Sequence, residues 1–206
     1  MTARRRVGIL ISGGGSNMVA LLTAMAGPGF PAEPALVISN NADAGGLAKA
    51  EAAGVPTEVI DHRPFKGDRE AYDARIDAAW RRAGVDLIAQ AGFLRIHSAG
   101  YVEAWAGRML NIHPSILPAF KGLNTHARAL EAGCAVHGCT VHEVVPELDS
   151  GRILGQAVVR VRPGDTPETL AARVLVQEHR LYPAVLEAFA RDPEAARKAA
   201  ISILED

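Results

Sequence analysis

Residues 110–118 read LNIHPSILP, with Asn111 and His113 two places apart just ahead of Pro114. On a strand that spacing sets both side chains on one face. A carboxamide there donates to an oxygen that is gaining negative charge; an imidazole does the same when protonated, or shuttles a proton. Such a pair suits acyl transfer or hydrolysis. No GxSxG nucleophile elbow accompanies it, so the attacking group would come from a substrate or from water. The plainer alternative is a strand-end histidine satisfied by a backbone carbonyl, with Pro114 and Pro118 only shaping a loop.

Three further segments carry groups of interest. SGGGSN at 12–17 follows an apolar run; glycines at a strand-to-helix turn admit an anion to backbone N–H groups and to the positive end of the helix dipole. The third glycine of a dinucleotide fingerprint would fall at position 18, which holds Met18, and the second strand ends in Ser39, Asn40 and Asn41 rather than in an acid. A phosphate monoester is favoured over NAD, with a ligand-free glycine turn as the alternative. Asp149, in ELDSG, sits where a hairpin turn favours Asp for local reasons; it gains a role if the turn brings its carboxylate to His113. Glu178 falls within the apolar stripe Leu170, Val174, Leu181 and Val185, where an acid needs a partner, either a ligand amine or an Arg.

The remaining histidines read as background. His62, His126 and His137 fall in loop-like or surface contexts, and His179 on the outer face of its helix. His142 shares a strand face with Thr140 and Val144, so it is structural or lines the site. Neither HRP nor VHGCTVH has metal-ligand spacing, and no metal is expected. Cys134 and Cys139 form neither a zinc pattern nor a disulfide framework, as in a reduced, cytoplasmic setting.

The elements that must position these groups alternate. RVGILIS, PALVISN, VPTEVID, VDLIAQAG and GRMLNIH read as strands. Helices fall between them, one capped by Asp68, striped by Tyr72, Ile76, Ala79, Trp80 and Ala83, and stopped by Gly84. The pattern predicts an α/β fold with an open, mostly parallel, Rossmann-like sheet. In such a sheet ligands gather at the carboxyl ends of the strands, where GGGSN, AGFLRI and NIHPS all fall. CTVHEVVPELDSGRILGQAVVRV predicts an antiparallel hairpin turning at LDSG. Thr166 and Pro167 then open a long helix to about residue 190, with a kink expected at Pro183. The tail after Asp192 reads as a surface helix.

At 206 residues, 49% of them hydrophobic, the chain is expected to form one domain over 1–206, with a nucleotide-binding half at 1–115 and a hairpin-and-helix half at 116–206. A net charge of −1 gives no reason to expect nucleic acid as a partner. The basic opening MTARRRV lacks the apolar core of a secretory signal, and no apolar run reaches the length of a membrane helix.

In this order, VGILISGGGSN, LNIHPSILPAFKG, GCTVHEVVPELDSGRIL and ARVLVQEHRLYPAVL resemble the phosphoribosylglycinamide formyltransferases over nearly the whole chain. The resemblance implies an enzyme of purine synthesis that moves the formyl group of 10-formyltetrahydrofolate to the amine of glycinamide ribonucleotide. It implies Asn111, His113 and Asp149 as the catalytic trio, and Gly15, Ser16 and Asn17 at the ribonucleotide phosphate with Glu178 on the rest of that substrate. It implies folate contacts from Arg69, Leu94, Arg95, Ile96, His97, Asn111, Val145, Pro146, Glu147, Leu148 and Asp149, and a cis bond at Leu117–Pro118. A cytoplasmic monomer or homodimer is expected. Two positions depart from the pattern: Leu175, where some relatives are polar, and His97, often an apolar place. Methionyl-tRNA formyltransferases share the trio but would add a C-terminal domain and a basic surface, and formyltetrahydrofolate hydrolases an N-terminal regulatory domain. A non-catalytic nucleotide-binding module is the reading from another class.

Overall fold

The computed structural model describes residues 3–205; Met1 and Thr2 of the basic opening, and Asp206, lie outside the described residues. In chain order the elements are β1 (Arg5–Ile11), α1 (Ser16–Met25), β2 (Ala32–Ser39), α2 (Gly45–Ala52) and β3 (Thr57–Val59). A 3-10 turn (Arg63–Phe65), α3 (Arg69–Ala83), β4 (Leu87–Gln90), α4 (Ala99–Ala104), β5 (Met109–His113) and α5 (Thr125–Glu131) follow. The chain ends with β6 (Val136–Glu143), β7 (Ile153–Arg160), α6 (Pro167–Arg191), α7 (Pro193–Lys198) and β8 (Ile201–Leu204). The strands form an eight-stranded sheet in the order β3-β2-β1-β4-β5-β6-β7-β8. Pairing is parallel from β3 through β5 and antiparallel between β6 and β7, so the α/β expectation holds. The residues divide into two compact units, one running to Asn111 and taking in Val144–Pro146, the other holding Ile112–Glu143 and the chain from Glu147 on.

In the first unit each parallel pairing needs a crossover, and a helix supplies it. Val7, Ile9, Leu10 and Ile11 of β1 are fully buried, as a strand covered on both faces requires. Helix α3 has the boundaries its sequence announces. The Asp68 carboxylate accepts the Ala71 N–H at 3.0 Å, and Gly84 closes the helix in the left-handed conformation. Its buried stripe of Tyr72, Ile76, Ala79 and Trp80 joins Leu10, Ile38 and Met109 in the core. The Trp80 indole N–H donates to the Tyr101 hydroxyl at 2.9 Å, so the largest buried ring leaves no polar atom unmatched.

In the second unit α6 lies on the β6–β7 hairpin. Thr166 and Thr169 form a reciprocal capping box with Pro167 in the first turn. The helix stays helical past Pro183 to Arg191. Leu170, Val174, Leu181, Tyr182 and Phe189 are fully buried on its inner face. A β-carbon on Gly155 of β7 would come 2.7 Å from Val185 Cγ2, so glycine sets how closely helix and sheet approach. The tail departs from expectation. Helix α7 is brief, and Ile201–Leu204 pairs with β7 as a parallel strand. Ile201 and Ile203 are half-buried while Ser202 and Leu204 are exposed, a two-residue period that the surface-helix reading overlooked.

Candidate active site

Strand β1 ends in the glycine loop. Gly13 and Gly14 are exposed, with open space where a side chain would stand. Gly15 caps α1 at φ 67°, and a β-carbon there would sit 2.9 Å from Gly46 Cα at the start of α2. Only glycine satisfies both demands. The Gly46 N–H donates to the Gly13 carbonyl at 3.0 Å, and Lys49 Nζ to the Gly14 carbonyl at 2.8 Å. Ser16 is half-buried and Asn17 buried in the first turn of α1. The loop is also tied to the stretch after β4: Ser12 N–H donates to Gly92 O at 3.1 Å and its hydroxyl accepts the Leu94 N–H at 2.8 Å.

Strand β5 carries Asn111, half-buried, and two residues on His113, buried. In the second unit the Asp149 carboxylate reaches the imidazole: its Oδ2 lies 3.4 Å from His113 Nδ1 and accepts the Gly122 N–H at 2.8 Å. Both side chains are 7% exposed. His113 Nε2 is 3.0 Å from the Phe120 carbonyl, so both ring nitrogens face oxygen acceptors. Asp149 and Phe120 adopt φ of 49° and 55°, left-handed conformations that are unfavourable for these residues and that the surrounding contacts hold in place. The Leu117–Pro118 bond is cis.

The Asp149 Oδ1 lies 3.8 Å from His142 Nε2. Burial lowers the pKa of His142, whose Nδ1–H donates to the Glu143 carbonyl at 2.8 Å, so a neutral ring presents its lone pair at Nε2. His126 and His137 are not surface background: His137 is 1% exposed, and its Nε2 meets His126 Nδ1 at 3.1 Å. Burial, aided by the His126 charge, pushes His137 down to about 4. His179 is half-buried rather than outward, with its Nε2 enclosed. Glu178 is buried on α6, and its charge acts with burial to push the Cys139 thiol up.

The remaining expected contacts have a common character. Leu94 and Ile96 are 72% and 56% exposed, and Val145, Pro146, Glu147 and Leu148 are exposed too. Arg95 is half-buried. Arg69, the first residue of α3, lines a cavity of about 490 Å³ in the first unit with Ile96, His97, Ser98 and Pro146. Exposed aliphatic side chains with an arginine at the rim fit a flat apolar ligand that carries a carboxylate.

Residues 5–186 match the formyl transferase family model. The chain belongs to the formyl transferase family. It is 44% identical to the phosphoribosylglycinamide formyltransferase of Escherichia coli K12 over 182 residues, covering 88% of this chain and 85% of that one. The phosphoribosylglycinamide formyltransferase structure from Brucella melitensis is 55% identical with a TM-score of 0.86, covering 91% of this chain and 96% of that chain. The trifunctional purine biosynthetic protein adenosine-3 of Gallus gallus is 50% identical over 186 residues, and there the chain spans 18% of the relative's length.

The groups that hold the histidine and the aspartate carry no mark in the sequence. The Gly122 amide, the Phe120 carbonyl and His142 surround the pair, and Lys121 Nζ donates to Ser150 Oγ at 2.6 Å beside it. Backbone groups leave no trace in residue type. The left-handed positions at Phe120 and Asn124 fall at non-glycine residues, which removes the usual cue.

Proposed function

We propose that residues 1–206 act as one catalytic domain that transfers the formyl group of 10-formyltetrahydrofolate to the amine of 5′-phosphoribosylglycinamide, giving formylglycinamide ribonucleotide and tetrahydrofolate in purine synthesis. The observation that carries the reading is the Asp149 carboxylate 3.4 Å from His113 Nδ1, held there by the Gly122 amide. Asn111 and His113 donate to the formyl oxygen as the amine attacks and that oxygen becomes negative. For His113 this requires Nε2–H to leave the Phe120 carbonyl. Asp149 aims the imidazole and accepts the amine proton through water; as the tetrahedral centre collapses, the bond from the formyl carbon to the folate nitrogen breaks, and His113 or Asp149 returns a proton to that nitrogen so that tetrahydrofolate leaves.

The other assignments follow the chemistry of each surface. Gly15, Ser16 and Asn17 offer backbone N–H groups and a helix N-terminus to the ribonucleotide phosphate, and Glu178 takes the rest of that substrate. Arg69, Leu94, Arg95, Ile96, His97 and Asn111 contact the folate together with Val145, Pro146, Glu147, Leu148 and Asp149. The folate supplies the activated formyl group, and no metal is required. The protein works in the cytoplasm on small molecules, as a monomer or homodimer without nucleic acid or membrane. Among the described residues no helix is long and apolar enough to cross a membrane.

A spectroscopic assay with 10-formyltetrahydrofolate tests the reading. Turnover only when the ribonucleotide is added supports the transferase. Turnover without it makes the chain a hydrolase, and no turnover in either case removes the catalytic reading.

A further inference from the structure

Besides Pro146, the cavity beside Arg69 has two walls, the start of α3 and the stretch after β4 that carries Ile96, His97 and Ser98. One carboxylate joins them. Asp73, on α3 and 3% exposed, accepts His97 Nδ1–H on Oδ1 at 2.7 Å and the Ser98 N–H on Oδ2 at 2.6 Å. The imidazole stacks on Phe93 (centroids 5.3 Å apart) and on Tyr101 (4.6 Å). A carboxylate acceptor fixes the ring proton on Nδ1. The buried Nε2, which has no hydrogen-bond partner, is left as a lone pair.

The residues between are exposed. Leu94 and Ile96 have little packing of their own to hold them, so their position comes from the ends of the segment. Leu94 N–H is held by the Ser12 hydroxyl at one end, and His97 and Ser98 are held by Asp73 at the other. We propose that Asp73 is a positioning residue that, acting through His97 and Ser98, sets folate affinity by pinning Leu94–Ile96 against the wall bearing Arg69. The inference rests on the reading of this cavity as part of the folate surface. Asp73 does not act on the reacting atoms through this clamp, so its loss weakens binding of one substrate and spares the chemical step.

Asp73→Asn is the sharpest probe. Its amide cannot accept from both partners, so the ring is driven to the Nε2–H tautomer, whose proton has no acceptor in the buried pocket. The expected result is a rise of about tenfold in KM for 10-formyltetrahydrofolate, with kcat and the ribonucleotide KM moving less than about twofold. His97→Leu should raise the folate KM similarly, and His97→Asn, which keeps an N–H near the Nδ1 position, should recover most of that rise. If Asp73→Asn does not fold, by circular dichroism and thermal melting, the two His97 variants decide. Equal folate KM in them, or an unchanged folate KM in a folded Asp73→Asn, overturns the clamp while the folate reading stands. Wild-type protein that turns over no folate overturns the reading and the clamp with it.

Discussion

The glycine loop after β1 and the His113–Asp149 pair are built by opposite means. At the loop the backbone is the instrument: side chains are absent, the space beside Gly13 and Gly14 is open, and Gly15 alone fits its own conformation. At the pair the side chains act, and the backbone is bent into left-handed positions at Phe120 and Asp149 to hold them. An anion needs many weak donors on an open rim, whereas a developing oxyanion needs a few donors held still and away from water. The first kind of site tolerates motion. The second stores its precision in contacts between residues far apart in sequence.

That contrast orders the expected effects of substitution. The largest falls on Asp149→Asn, which keeps the shape and a group to accept the Gly122 N–H but removes the charge facing His113. Turnover should fall by on the order of 10³ with the melting temperature nearly unchanged. A fall under tenfold would make Asp149 a turn residue and nothing more. Asn111→Ala removes one donor, and a loss of about 10² in kcat is expected, or ~3 kcal/mol. Near-normal turnover would take the amide out of the chemistry.

Smaller effects probe the loop and the fold around the pair. Gly15→Ala forces a β-carbon to 2.9 Å from Gly46 Cα at φ 67°. It should cost about 1–3 kcal/mol of stability and raise the ribonucleotide KM several-fold, while the folate KM holds. Equal shifts in both KM values would deny the loop its separate role. The effect at His137 is on stability alone. Its folded pKa of about 4 lies below the ordinary 6.5, so the unfolded chain binds the extra proton between those values. Stability is therefore full above about pH 6.5 and is lost as pH falls toward 4, by on the order of 2 kcal/mol. Urea midpoints measured at pH 7, 5.5 and 4 should flatten in His137→Gln.

The two kinds of site also differ in how well the sequence announces them. Helix α3 was legible to the residue because Asp68 and Gly84 are local signals, and the glycine loop because only glycine suits such a turn. Asn111 and His113 do lie on one strand, β5, where two-residue spacing fixes a shared face. The approach of Asp149 to His113 was not legible. It depends on a backbone N–H from Gly122 and on a carbonyl from Phe120, neither of which is a property of residue type. His137 was misjudged for a related reason: its burial comes from packing in β6 rather than from the VHGC context. Strand β8 was missed because four residues carry too short a period to outweigh the helix before it.

Thr140 on β6 accepts the Leu117 N–H at 3.0 Å and donates to the Ser115 carbonyl at 2.7 Å, while Gln156 of β7 donates both to that hydroxyl and to the Leu117 carbonyl. One oxygen thus anchors the stretch that leaves His113, and valine, its near twin in outline, could do none of this. Anyone grafting a foreign segment after residue 113 to alter the acceptor would have to transplant these two hairpin residues with it, because the chassis for that segment is the hairpin and not the loop.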